Sequence, residues 1–265
     1  MKEKENKSFY HKLYIIFTLS AIIIVGLIYL ISSGSTSIIE NKMKPQSTST
    51  PAAVHTPEPS VTPSVLPSFT PTPTEPPVDV TSDDSIWRIV NKTHTISPDY
   101  VPSDLVQPNV LSNETQLLRK EAADSLEQMF QAASDEGISL YLISGYRDYQ
   151  LQTSLYNTYV ARMGSEQAMR IDDHPGASEH QIGLAADLGT ADHACELSGC
   201  FSTTQAYQWL VSHSYEYGWI LRYPEGKENV TGIMYSPWNF RYVGTEEAQK
   251  LYESGLTMEE YYHIQ

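Results

Sequence analysis

Residues 32–80 decide where in this chain a fold can exist, because they are dominated by Pro, Ser and Thr, as in TPEPSVTPSVLPSFTPTPTEPP (Thr56 to Pro77). Such a stretch buries too little apolar area to offset chain entropy and is expected to stay extended, a disordered linker. It divides the sequence into an N-terminal segment of 31 residues and a C-terminal region, 81–265, that is long enough for one buried core. Fully extended as polyproline II, the linker would advance roughly 3 Å per residue, which makes it a tether.

Residues 13–31, LYIIFTLSAIIIVGLIYLI, are uncharged and apolar, and residues 1–12 carry Lys2, Lys4, Lys7 and Lys12. A run of that length can cross a bilayer as a helix. It is longer than a secretory h-region and lacks an A-x-A cleavage site, so an uncleaved transmembrane signal anchor is expected. The lysines put residues 1–12 in the cytoplasm as a short tail and everything after the run outside. The expected protein is single-pass in the cell membrane.

Charge is as uneven as composition. Residues 1–80 balance six Lys and Arg against six Asp and Glu, whereas residues 81–265 set eleven against twenty-six and hold the whole net charge of −15. An acidic surface of this kind repels phosphate polymers, which excludes nucleic acid as a natural partner. A peptide or neutral glycan suits it better.

Within 81–265 the pattern mixes helices with short strands. Apolar residues at helical spacing from Gln116 to Asp135 (Leu118, Ala122, Leu126, Met129, Phe130, Ala133) predict an amphipathic helix, stopped by Gly137. ISLYLIS (138–144) and GLAADLG (183–189) read as strands, with a helix around 150–163 between them. Ser202-Thr203-Thr204-Gln205 reads as a capping box opening a helix, and Thr257-Met258-Glu259-Glu260 as the start of the last one. Short strands are expected near 218–223 and 239–243. No regular βαβ alternation is present, so the expected class is α+β, a small antiparallel sheet flanked by helices.

The chemistry-bearing residues concentrate in Ser178-Glu179-His180-Gln181-Ile182-Gly183-Leu184-Ala185-Ala186-Asp187. Imidazole and carboxylate are both good zinc donors, and a turn at Gly183 would let His180 and Asp187 converge. Cys195 and Cys200 are the only cysteines. Outside a membrane they suit a short disulfide, with a thiolate zinc site shared with His193 or His180 as the rival reading. Nucleophile motifs of the G-x-S-x-G and S-x-x-K kinds are absent, as are H-E-x-x-H and a Gly-rich phosphate loop.

The pattern S-x-H-x-x-G-x-A-x-D resembles the signature of the VanY-type D-alanyl-D-alanine carboxypeptidases. The similarity continues through SGYRDYQLQTSLY (144–156) and YGWILRYPEGKENVTGIMYSPWNFRYVG (217–244). The resemblance implies a peptidoglycan stem peptide as partner, a zinc ion held by two histidines and an aspartate, a glutamate that activates the zinc-bound water, and an arginine for the substrate or transition state. Position by position it makes His180 and Asp187 zinc ligands and Arg147 the arginine. Ser178, Gln152, Tyr146 and Trp238 become substrate-binding positions.

The final block departs from the family's E-P-W-H and reads Ser236-Pro237-Trp238-Asn239. A hydroxyl cannot replace the carboxylate base, whose contribution is typically about 10²- to 10⁴-fold, and an amide oxygen is a poor zinc donor. Three readings result: a pseudoenzyme that still recognises D-Ala-terminated stem peptides, an active zinc D,D-carboxypeptidase completed by Asn239 or a relocated residue, and a structural module spanning the wall. Glu179, Glu225 and Glu228 as bases, and His174 or His193 as ligands, are the substitutes that the second reading would need.

Overall fold

The computed structural model describes residues 78–112 and 114–264. The expected tail, membrane anchor and nearly all of the linker lie outside the described residues. Among the described residues no helix is long and apolar enough to cross a membrane.

Among the described residues six strands form two antiparallel sheets. β1 (Leu105–Val106) pairs with β2 (Leu118–Arg119) in a two-stranded ribbon. β3 (Leu140–Ser144), β4 (Ala185–Thr190), β5 (Trp219–Leu221) and β6 (Asn239–Tyr242) make the main sheet, in the order β3-β4-β6-β5. β4 and β6 are central and nearly all buried; AADLG is mostly apolar, as a strand covered on both faces tends to be, whereas NFRY alternates and buries its polar Asn239 and Arg241 as well.

Seven α-helices among the described residues accompany the sheets. α1 (Lys120–Asp135) buries Ala122, Leu126, Met129 and Ala133 at the predicted spacing. It begins later than the sequence pattern suggested. Leu118 and Arg119 belong to β2, and the Arg119 N–H donates to the carbonyl of Gly183 at 2.9 Å, so tertiary pairing overrides helical periodicity at those positions. α2 (Tyr149–Met163) is capped by Asp148, whose carboxylate accepts from the Leu151 N–H at 2.7 Å. α3 (Ser165–Ile171) follows directly.

α4 (Gln205–His213) starts one residue after Thr204, whose hydroxyl accepts from the Tyr207 N–H at 3.1 Å. The expected box at 202–205 is thus displaced: Ser202 and Thr203 lie in a 3₁₀ turn, Gly199–Thr203, that precedes the helix. α5 (Glu228–Thr231) is a single turn, and α6 (Thr245–Ser254) buries Ala248 and Leu251. α7 (Met258–Tyr261) opens with the expected capping box, formed by Thr257 and Glu260.

The core lies between α1 and the main sheet, where Leu118, Leu126, Met129, Leu142, Leu184, Leu188, Trp219 and Phe240 are fully enclosed. A second cluster (Ile89, Val243, Ala248, Leu251 and Met258) packs under α6 and α7. Burial of this kind contributes about 25 cal/mol per Å² of apolar surface removed from water, and it fixes the sheet whose central strands carry the polar residues described next.

Candidate functional site

Strand register places two candidate residues side by side. Asp187 on β4 lies opposite Asn239 on β6 and next to Ser144 on β3. Side chains of directly opposed residues project to the same face, so Asp187 and Asn239 must meet. His180 arrives from the 3₁₀ turn Glu179–Ile182, which ends at Gly183 in the left-handed region with φ 68°. Glycine is needed there, since a Cβ would stand 2.9 Å from Leu105 and 3.2 Å from Arg119.

A backbone contact orients the imidazole. A carbonyl can only accept, so Nδ1–H of His180 donates to the carbonyl of Gly145 at 2.7 Å. Nε2 then faces Asn239, whose Nδ2 lies 3.2 Å from it and 2.9 Å from Oδ1 of Asp187. Both neighbours offer lone pairs, and the two N–H bonds of the amide answer them. His180 Nε2 and Asp187 Oδ2 are 3.4 Å apart. All three side chains are more than nine-tenths buried.

Arg147 follows β3, and its backbone N–H donates to the carbonyl of His180 at 3.2 Å. Its guanidinium is bracketed by Asp187 at 3.4 Å and Asp172 at 3.6 Å. Asp148, the surface acid nearest in sequence, is occupied as the cap of α2. Burial would raise the Asp187 carboxyl, but the surrounding polar groups, among them the Arg147 guanidinium and the Asn239 N–H, outweigh it and hold the group below the usual carboxylate range.

These residues line a cavity of about 360 Å³ together with Ser178, Ser236 and Trp238. Asp172, Asp173, Tyr159 and Tyr223 complete its polar wall, and sequence reading missed all four. Their only signal was the acidic pair shortly before the motif. Asp173 is buried and accepts from the Tyr223 hydroxyl at 3.1 Å. Burial and then neighbouring Asp172 push its carboxyl up to about 7, against Lys92, Tyr223 and Arg222, which pull it down.

Two expected substrate-binding residues stand elsewhere. Gln152 is completely enclosed and supports the wall from behind, with Nε2 donating to Asp172 Oδ1 at 3.1 Å and to the Asp173 carbonyl at 2.7 Å. Tyr146 is not among the lining residues; its N–H donates to the Leu117 carbonyl at 2.6 Å. Ser236 is buried and turns its hydroxyl back onto the Met234 carbonyl at 3.0 Å.

The substitute residues are engaged in other contacts. Glu179 faces away from the cavity into an enclosed ion-pair cluster, 2.8 Å from Arg222 and 2.7 Å from Arg241. Glu228 pairs with Arg170 at 2.6 Å. Cys195 and Cys200 are joined as a disulfide, so neither offers a thiolate, and the His193 ring packs edge-on against Tyr141. His174 contacts the Pro175 carbonyl through Nδ1, and Glu225 does not line the cavity.

Residues 115–245 match the profile of VanY, D-alanyl-D-alanine carboxypeptidase. YodJ of Bacillus subtilis (strain 168), provisionally named a carboxypeptidase, is 40% identical over 188 residues, covering 69% of each chain. The chain belongs to the VanY family. Two solved structures extend the match. One is the LdcB LD-carboxypeptidase, described in terms of peptidoglycan recognition, with TM-score 0.65 and 40% identity over 69% of this chain and 87% of that one. The other is a vancomycin-resistance D,D-pentapeptidase VanY in complex with Zn(II), with TM-score 0.57 and 32% identity over 65% of this chain and 96% of that one.

Zinc thus occurs in the VanY family, and the donor set of this chain can be tested against it. Among the described residues no three His, Cys, Asp or Glu side chains converge as a metal-binding group. His180 and Asp187 supply two donors. The third strand position presents an amide whose N–H bonds already use the lone pairs that a cation would need. The residues present therefore do not fit a His-Asp-His zinc centre.

Proposed function

We propose that this VanY domain recognises D-Ala-terminated peptidoglycan stem peptides and has lost, or nearly lost, the ability to hydrolyse them. The observation carrying this reading is the donation from Asn239 Nδ2 to both His180 and Asp187. In that geometry an amide takes the place of a Lewis acid. It can satisfy the two buried acceptors but cannot polarise a peptide carbonyl or lower the pKa of a water.

The base is missing in the same way. Ser236 is tied to a backbone carbonyl, and Glu179, the carboxylate next to His180 in sequence, is neutralised by two arginines. What remains is a binding cavity. Arg147 has an Nε–H without a partner, and a guanidinium is well shaped for the terminal carboxylate of a peptide. Trp238 and Leu155 add apolar wall for a methyl side chain.

The same proposal places the domain outside a bacterial membrane. Residues 13–31 serve as anchor and residues 32–80 as tether, and the Cys195–Cys200 disulfide suits an oxidising compartment.

The deciding experiment incubates the protein with zinc and a pentapeptide ending in D-Ala-D-Ala, and measures peptide binding, bound metal and released D-alanine. Binding without release is expected, with zinc uptake and release appearing in the Ser236→Glu, Asn239→His double variant. Turnover by the unaltered protein would establish the active zinc carboxypeptidase instead. Neither binding nor turnover in any form would leave a structural module.

A further inference from the structure

The amide that occupies the family's metal position has a second end. Asn239 Nδ2 is consumed by His180 and Asp187, but Oδ1 of the same group is buried with no hydrogen-bond partner, on a residue that lines the cavity. An enclosed carbonyl oxygen without a donor has lost its water and gained nothing in return, a loss that a ligand carrying an N–H would recover.

The polarity at the centre of the site is thereby reversed. A zinc ion draws in an atom that gives a lone pair, such as a carbonyl or carboxylate oxygen. Asn239 Oδ1 itself gives the lone pair, so the complementary ligand atom must bring a hydrogen.

Charge points the same way. Asp172, Asp173 and Asp187 all face this cavity, and Arg147 is the only Arg or Lys among its lining residues. That arginine is already shared between Asp172 and Asp187. Asp173 has no such partner: its carboxylate Oδ2 receives one neutral hydroxyl, from Tyr223. Three carboxyl groups against one arginine, with an orphan acceptor in the same lining, are complementary to a compact cation rich in N–H bonds.

We propose that the cavity seats a primary ammonium group of its peptide ligand, with Asn239 Oδ1 accepting from it and Asp173 opposing its charge. This deepens the stem-peptide reading and rests on it. Arg147 takes the carboxylate end and the acidic wall takes the amine, so the preferred ligand is zwitterionic within the space of one cavity. The ammonium has two sources in a stem peptide, a basic side chain or a free α-amino group.

The test titrates the full chain calorimetrically with a lysine-containing stem pentapeptide ending in D-Ala-D-Ala, and with its Nε-acetyl, Nα-acetyl and doubly acetylated forms. One acetylation should weaken binding at least tenfold, and which one does so identifies the source. Equal affinity for the free and doubly acetylated peptides would overturn the proposal while leaving stem-peptide recognition intact. If no peptide binds, stem-peptide recognition fails, and the ammonium site is then read with n-butylammonium alone, following the Asn239 side-chain amide by NMR. A saturable shift that acetate does not produce, and that Asp173→Asn removes in a variant with unchanged circular dichroism, supports the site. Its absence overturns it.

Discussion

Asp187 on β4 and Asn239 on β6 are directly opposed partners in the central strand pair, and their side chains are joined by a 2.9 Å hydrogen bond. The register that would present two metal ligands to one ion here closes the gap with an amide.

That closure predicts an asymmetric response at position 239. Asn239→Leu removes both N–H donors and leaves His180 Nε2 and Asp187 Oδ1 buried without them, which should cost about 1–3 kcal/mol per orphaned acceptor. Urea denaturation should show the loss as a lower midpoint with an unchanged slope. Asn239→His restores a lone pair instead, so its melting temperature should rise with added zinc, whereas that of the unaltered protein should not.

Glu179 carries the second prediction. It is enclosed between Arg222 and Arg241, and Arg222 also binds Glu259 on α7 at 2.6 Å. Breaking a buried pair by removing one partner costs about 3–5 kcal/mol. Glu179→Gln should therefore lower stability by that order in chemical denaturation. A surface pair such as Lys120 with Asp124 should give less than about 1 kcal/mol on the same assay. If the two losses were equal, the cluster would not hold the 3₁₀ turn that presents His180.

Much of this site could be read in the sequence, and what could not be read has a common cause. His180, Gly183 and Asp187 were legible because they repeat a family pattern; their spacing alone reads as readily as a hydrogen-bonded loop and a strand end. Ser236 and Asn239 were legible as departures from a family pattern. Asp172 and Asp173 were not, since their convergence depends on where the segment between α3 and the 3₁₀ turn packs against Tyr223. Gln152 was expected to touch ligand, yet it supports Asp172 and the Asp173 backbone from behind, a difference set by which face of α2 is buried. Arg119 was assigned to a helix because periodicity carries no information about the distant Gly183 carbonyl that recruits it.

Gly145 offers a test of how the imidazole is oriented. A Cβ at this position would collide with the Leu117 carbonyl oxygen, a contact with backbone that cannot rotate away. Its own carbonyl is the acceptor for His180 Nδ1. Gly145→Ala should destabilise by about 1–3 kcal/mol, as overpacking does, and should also displace the His180 ring. The second effect is separable by NMR, where the His180 ring nitrogens should lose their distinct donor and acceptor signatures while those of His213 are unchanged.

Asp173 sets the pH dependence. Its carboxyl titrates near 7 in the folded protein, against about 3.9 in an unfolded chain, so the folded state binds the extra proton between those values. The linkage sign follows: this group's contribution to stability is fully present below about pH 4 and is lost as pH rises through about 7. Asp187 and Glu259 are shifted downward, so their contributions change at and below the usual carboxylate range, outside this window. Between pH 5 and 7 the unfolding free energy should thus fall with rising pH, by up to about 1.4 kcal/mol per unit from this one site. Asp173→Asn should flatten that slope, and a set of urea titrations across the window measures it. An unaltered slope in the variant would mean that Asp173 is already ionised in the folded cavity, with Tyr223 and Lys92 compensating its burial.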